Sequence, residues 1–423
     1  MLTVPSLDQD FSRILAGEPG AVRDPYPVYD RLRETGDIHL FRGAVPIAAS
    51  HAAVRQLSMD DGRFLTHRGI DRFSLDDLAE ADRQKVAEIC AFEQLQMSGM
   101  NGEAHRRVRA AAQKGFGSPR AADMGDYAGK LVADIADKMV ASGGDVDLIE
   151  MAYRVPLLVV MRMLGAPEAD IDLLRGWSDD IAGVKQFVGA NIPLAKVRAA
   201  HDGIQQLKAY IGDMARDLRR RPDRTHLMGL LLDAEEGSQL SADELSSTFV
   251  VIFYAGHETT TNLIGNGLLA LMRNRDQWAR LRENPSLSGS TVEEVLRYDP
   301  PVQMIVRRTA EDVEVFDTPI AAGTNVMLLY GAANRDPLVF DRPDSFDIAR
   351  PQNKHLGFGY GVHVCLGASL ARLEGRIVFE HFAKRFPDMV LAADPADLEW
   401  HSHAVFHGIK HLPVTLGADR GVG

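Results

Sequence analysis

The chain has 423 residues, 45% hydrophobic and 25% charged, with 47 basic against 59 acidic side chains and a formal net charge of −12. This composition excludes a disordered chain, and the acidic balance disfavours a global electrostatic grip on nucleic acid. Only two cysteines occur, Cys90 and Cys365, which excludes a disulfide-rich scaffold and any zinc or iron–sulfur site built from several cysteines. Residues Met1 to Asp10 lack the basic and apolar stretches of a secretory leader, and no apolar run approaches the ~20 residues of a membrane helix. A cytoplasmic protein without a membrane anchor is expected.

In chain order, Asp24-Pro25-Tyr26-Pro27 interrupts the chain, and Val28 to Glu34 reads as a short helix. Ile38 to Ile47 carries strand-like apolar residues about a turn at Gly43. Phe64 to Met100 is polar and irregular and reads as loop with short helices. From about Glu103 to Arg282, apolar residues recur at steps of three and four, as in Leu131, Ile135 and Met139, predicting helices. Pro156, Pro167, Pro193 and Pro222 are expected to punctuate them. One helix, from about Ala242 to Met272, is unusually long: at 1.5 Å per residue its roughly 31 residues would span ~46 Å. Ser241 and Glu244 have capping-box spacing at its start.

From Val302 the period changes to two. Val313 and Val315 alternate, Ala322-Gly323 makes a turn, and Val326 to Tyr330 is a strand candidate. A helix returns from Leu366 to about Phe382. The expectation is a mainly α fold with a minor β portion (α+β). A single domain is expected over 1–423, with a β-containing part at about 1–100, a helical core at about 103–300 and a β and cysteine-loop part at about 301–423.

The segment Phe358-Gly359-Tyr360-Gly361-Val362-His363-Val364-Cys365-Leu366-Gly367 carries the strongest chemical signal. Two glycines two apart allow a tight, closely approached turn. A cysteine at a helix start meets partial positive charge and free N–H groups, which favour thiolate. A lone thiolate in a glycine-lined loop suits a single bond to iron, beside a large flat cofactor. A lone cysteine is usually a buried, inert side chain, and Cys90, in Ile89-Cys90-Ala91, is read that way. A dinucleotide loop would need glycine at Val364.

This segment resembles the heme-binding signature of the cytochrome P-450 family, Phe-Gly-x-Gly-x-His-x-Cys-x-Gly, at every fixed position. The resemblance implies that family's triangular-prism fold with a long central oxygen-binding helix. It also implies heme b (iron protoporphyrin IX) with Cys365 as axial thiolate, a ligand that favours O–O cleavage. Gly367 closes the cofactor loop, and His363 matches a residue that hydrogen-bonds a heme propionate.

Other segments agree with it. Ala255-Gly256-His257-Glu258-Thr259-Thr260 places a carboxylate and a hydroxyl in an otherwise apolar helix, which is costly unless they have partners or a task. A metalloprotease would need histidine at Thr261. In the family this pair crosses the distal heme face beside Ala255: Thr259 would stabilise dioxygen and Glu258 would feed a proton relay. His257 reads as a helix-face residue. Glu294 and Arg297, at Glu-x-x-Arg spacing, match a structural pair whose third member is Arg350. His105-x-x-x-Arg109 and Arg307 match propionate contacts, with His355 a weaker candidate. Asn334-Arg335-Asp336-Pro337 also matches a common bacterial family sequence.

By position in the family, substrate contacts are expected from Val251, Tyr254 and Ala255, from Val302 to Ile305 including Met304, from the loop before Met100, and from Val405-Phe406. Each could equally be core. The resemblance implies a monooxygenase that uses O₂ on an apolar or aromatic small molecule. No flavin- or iron–sulfur-binding segment lies within the sequence. Two electrons are therefore expected from a ferredoxin or flavodoxin with its NAD(P)H-dependent reductase, docking on Arg106, Arg107, Lys114, Arg120, Arg372 and Arg376. Three rival readings are a peroxygenase, which normally lacks the acid–alcohol pair, a nitric-oxide reductase, and a non-enzymatic heme sensor.

Overall fold

Ser241 starts the longest helix. The Glu244 N–H donates to its hydroxyl at 3.1 Å, and the Ser241 N–H donates to the Glu244 carboxylate at 2.8 Å. This reciprocal cap satisfies two of the amides that a helix start leaves open, and the helix then runs Ala242–Arg273, 32 residues. The structure, a computed structural model, describes residues 6–69, 71, 73–116, 118–184, 192–221 and 224–421, the side chains of 118–122 and 182 excepted.

The chain forms two compact units. The first comprises Met1–Leu65, Ala121–Pro156 and Glu258–Gly423, and the second Thr66–Arg120 and Leu157–His257. In the first, Ile38–Phe41 and Val45–Ala48 pair antiparallel about Gly43, whose φ is 70°. Val45–Ala48 pairs parallel with Asn325–Leu329, which pairs antiparallel with Met304–Thr309, and Phe64–Leu65 closes this five-stranded sheet. The register sets Arg307 opposite Val326. A three-stranded sheet joins Asp145–Asp147, Pro413–Thr415 and Val390–Leu391, and a hairpin joins Val313–Val315 to Thr318–Ile320.

The helices Arg275–Glu283, Ser288–Tyr298 and Ala368–Arg385 place Trp278, Val292, Val295, Phe379 and Phe382 in one apolar cluster with Leu268 and Leu271 of the long helix. Each such side chain contributes about 1.5–3 kcal/mol on burial. Gly267 permits the approach, because a Cβ there would strike the Phe379 ring.

In the second unit, Leu194–Arg219 buries Val197, Ala200, Ile204, Leu207, Ile211, Ala215 and Leu218, a stripe at three- and four-residue spacing. It packs against Ile171–Ala182 and Glu80–Gln94. Arg107, on Gly102–Gln113, forms a bidentate pair with Glu244 at 2.6 and 3.0 Å.

The α+β expectation holds, with two differences. Pro156 lies inside one helix, Leu148–Leu164, instead of ending it. A proline there removes one backbone bond, but Val155, Leu157 and Leu158 around it are buried, and packing outweighs the loss. The polar stretch 64–100 holds a 15-residue helix, Glu80–Gln94, where only short helices were expected. Pro167 and Pro193 do precede helical segments, whereas Pro222 lies outside the described residues.

Candidate active site

The cysteine loop is shaped by its backbone. Gly359 and Gly361 have φ of 73° and 75°, a left-handed conformation that favours glycine. A Cβ at Gly361 would lie 2.5 Å from the Ser58 carbonyl, and one at Gly359 would lie 3.4 Å from the Tyr330 hydroxyl. The Cys365 N–H donates to the Phe358 carbonyl at 2.9 Å, and the Gly359 N–H to that of Leu356 at 2.8 Å. Cys365 is exposed, whereas Cys90 is buried. The following helix begins at Ala368, with Gly367 as its N-cap, so Cys365 precedes the helix instead of opening it. Gly359, Gly361 and the turn at Leu366-Gly367 present the cysteine on a loop.

Arg372 stands beside this loop. Its guanidinium lies 4.5 Å from the Phe358 ring centroid and forms a bidentate pair with Glu293 at 2.7 and 2.9 Å. The bond to Glu293 raises its pKa above the ordinary value, and the charge of Cys365 adds to the shift. Burial disfavours the Glu293 carboxylate, but hydrogen bonds from His355 and Arg372 outweigh it and hold the group down at about 2. His355 is therefore engaged by Glu293, at 2.9 Å, and by the Gly357 amide; that is a loop-holding position. Among the docking candidates, Arg107 and Arg372 are thus held in ion pairs, and the Arg120 side chain lies outside the described residues.

Arg307 is buried at 8% exposure on Met304–Thr309, and its charge opposes the burial that raises the Tyr330 phenol. Tyr330 was not expected at the site; its strand pattern gave no sign that its hydroxyl would face Gly359. His363 is half-buried in the loop.

On the long helix, Glu258 and Thr259 are half-buried, followed by buried Thr260, Thr261 and Asn262. In the second unit, the same helix leaves Ala255 exposed and Tyr254 half-buried, between buried Val251 and His257. His257 donates through Nδ1 to the Phe253 carbonyl at 2.8 Å, and burial lowers its pKa to about 4. His105 is buried and Arg109 half-buried on Gly102–Gln113.

Val302 and Phe406 are brought together in an antiparallel bridge, both half-buried. Met304 is 2% exposed, packed with Phe11, Tyr29 and Leu329. Glu294, Arg297 and Arg350 converge with no more than 8% exposure: Arg297 donates twice to Glu294 at 2.8 Å, and Arg350 donates at 3.1 Å.

Among the described residues, no group of three or more His, Cys, Asp or Glu side chains could hold a metal ion. The donor set is instead a single exposed thiol on a glycine-shaped loop, with a buried arginine in the same unit. This fits iron carried in a macrocycle that supplies the remaining ligands and brings its own carboxylates.

The family described as Cytochrome P450 matches residues 184–394. The chain is 32% identical over 405 residues to the biotin biosynthesis cytochrome P450 of Bacillus subtilis (strain 168), covering 93% of this chain and 97% of that one. It is 34% identical over 404 residues to the vitamin D(3) 25-hydroxylase of Pseudonocardia autotrophica, covering 93% and 94%. Among solved structures, P450BioI in complex with an acyl carrier protein ligated to hexadec-9Z-enoic acid superposes with a TM-score of 0.84 at 31% identity, covering 94% of this chain and 99% of that one. The lone thiol, its loop and these likenesses lead to one conclusion: the chain belongs to the cytochrome P450 family, as a bacterial-type monooxygenase with a heme-iron cofactor.

Proposed function

We propose that the chain, acting as one heme domain, holds heme b through the Cys365 thiolate and oxidises an apolar or aromatic small molecule. The observation that carries this is the exposed Cys365 on a loop shaped by two left-handed glycines. When bound, the heme supplies the oxygen-activating redox chemistry. Arg372, fixed by Glu293, stands beside the cysteine loop, and its charge interacts with Cys365. Arg307 and His363 hold the cofactor's carboxylates, and the family pattern gives His105 and Arg109 the same role.

Glu258 and Thr259 are the catalytic pair: the carboxylate feeds a proton relay and the hydroxyl would stabilise dioxygen, in the half-buried middle of an apolar helix. Val302 and Phe406 contact the substrate, with Val251, Tyr254, Ala255 and Met304 assigned to the same task by position. Electrons come from a ferredoxin or flavodoxin and its NAD(P)H-dependent reductase, in the cytoplasm. No helix among the described residues is long and apolar enough to cross a membrane.

The test is Cys365→Ala in the purified, heme-reconstituted protein. The carbon-monoxide complex of the reduced protein is expected to lose its thiolate-type Soret band. A variant that keeps this band overturns the ligand assignment.

A further inference from the structure

Phe406 belongs to a loop held at nearly every other position. The Gln303 N–H donates to the Val405 carbonyl at 2.8 Å, and the His407 N–H donates to that of Pro301 at 2.9 Å, one bond on each side of the Val302–Phe406 bridge. Asn266 donates through Nδ2 to the His407 carbonyl at 3.1 Å and to that of Asp299 at 3.3 Å. A Cβ on Gly408 would overlap the Asn262 amide. His407, Gly408 and Ile409 are buried, whereas Phe406 is half-buried.

His407 lies at the centre of these contacts. Its ring stacks on Trp400 with centroids 4.2 Å apart and a 23° tilt, and its Nε2 faces Asp299 Oδ1 at 3.3 Å. The same Asp299 oxygen accepts from the Tyr26 hydroxyl at 2.7 Å. Tyr26 also meets the side chain of Gln303, at 3.4 Å, next to Val302 in sequence. The polar cluster therefore reaches both strands of the bridge, one through His407 and the other through Gln303. Apolar residues could fill this volume without the desolvation that a buried histidine and aspartate require. Gln303 Oε1, Asn266 Oδ1 and Trp400 Nε1 meet no hydrogen-bond partner among the described residues, so the cluster is not kept for its stability. What its Tyr26–Asp299–His407 contacts add is directionality, one defined place for the His407 ring.

We propose that His407 is a positioning residue for the substrate: Asp299 and Trp400 orient its ring, and the ring fixes where the Val302–Phe406 bridge stands. This rests on the reading of Val302 and Phe406 as substrate contacts. Loops tend to wander; this one is tied down so that Phe406 presents a fixed wall.

The test uses the full-length, heme-loaded protein and two probes, imidazole and 4-phenylimidazole. Both bind through a ring nitrogen, but only the second projects a phenyl group. The readout is the ratio of their dissociation constants from optical titration. Phe406→Ala, the control for the underlying reading, is expected to change the ratio. Because small misplacements of positioning groups have large effects, His407→Ala is expected to weaken 4-phenylimidazole relative to imidazole about tenfold. Asp299→Asn keeps the packing volume and covers the case in which His407→Ala fails to fold; it should shift the ratio about threefold in the same direction. Amide hydrogen exchange at Gln303 and His407 should accelerate in both. A residue that only stabilises the fold would lower the melting temperature and leave the ratio unchanged. A ratio moved by Phe406→Ala but by neither network variant overturns the inference and keeps the substrate reading. A ratio that Phe406→Ala leaves unmoved overturns both.

Discussion

Two glutamates are fully enclosed in the first unit, and they are accommodated in opposite ways. Glu294 accepts from Arg297, Arg350, the Asp347 amide at 2.9 Å and the Asn353 side chain at 3.0 Å. Glu374, 2% exposed on Ala368–Arg385, has an Oε2 that meets no donor among the described residues, and burial pushes its pKa up to about 8. One carboxylate is buried among four donor groups, two of them guanidinium groups; the other avoids the desolvation of charge by keeping its proton. Equal burial thus says nothing about ionisation until the neighbours are counted.

The sharpest way to break this contrast is Arg297→Ala. It removes two of the hydrogen bonds to a buried carboxylate and should cost about 3–5 kcal/mol, read as a fall in the urea midpoint at pH 7. A loss below about 1 kcal/mol would mean that Arg350, the Asp347 amide and Asn353 hold Glu294 without Arg297, and the contrast would narrow.

Glu374→Gln sharpens the other side. In the folded state Glu374 stays protonated up to about pH 8, while in the unfolded chain it ionises near the ordinary 4.5. Between these values the folded state binds the extra proton, so wild-type stability falls as pH rises. The glutamine variant lacks this term. Its advantage over wild type should widen between pH 5 and pH 8 by up to about 1.4 kcal/mol per pH unit. Parallel stability curves would remove Glu374 from the comparison.

The smallest effect belongs to a third carboxylate, at the surface. Asp419 accepts a bidentate pair from Arg385 at 2.9 Å, and that hydrogen bonding holds its pKa down at about 2. Its contribution is present above the ordinary aspartate range and is lost only as pH falls towards 2. Its side chain is 31% exposed, and such pairs are weak, so Asp419→Asn should cost less than about 1 kcal/mol in the same urea assay at pH 7. A larger loss would place solvent-screened pairs on a par with buried ones.

Much of this was legible in the chain. The Ser241–Glu244 spacing located the start of the long helix, and the period-two residues located Val313–Val315. Cys365 and its glycines needed only local order. The readings that failed depended on tertiary neighbours. Pro156 stays helical because its surroundings are packed. Glu80–Gln94 was obscured by polar residues, and its partner Leu194–Arg219 lies a hundred residues on. Tyr330 and Glu374 read as ordinary strand and helix residues, since nothing in the local pattern says what a phenol or carboxyl will face. His407 was hidden for the same reason: Asn266, the stretch Asp299 to Pro301, and Trp400 reach it from three separate parts of the chain.

The close approach of Gly361 to the Ser58 carbonyl has an engineering consequence. The ten residues around Cys365 are not a portable cassette. Their second glycine is demanded by the end of helix His51–Met59, some 300 positions earlier. A chimera that imports this loop must import the shape of that helix end with it; a donor relative whose helix stops one turn differently would supply a matching motif with nowhere to sit.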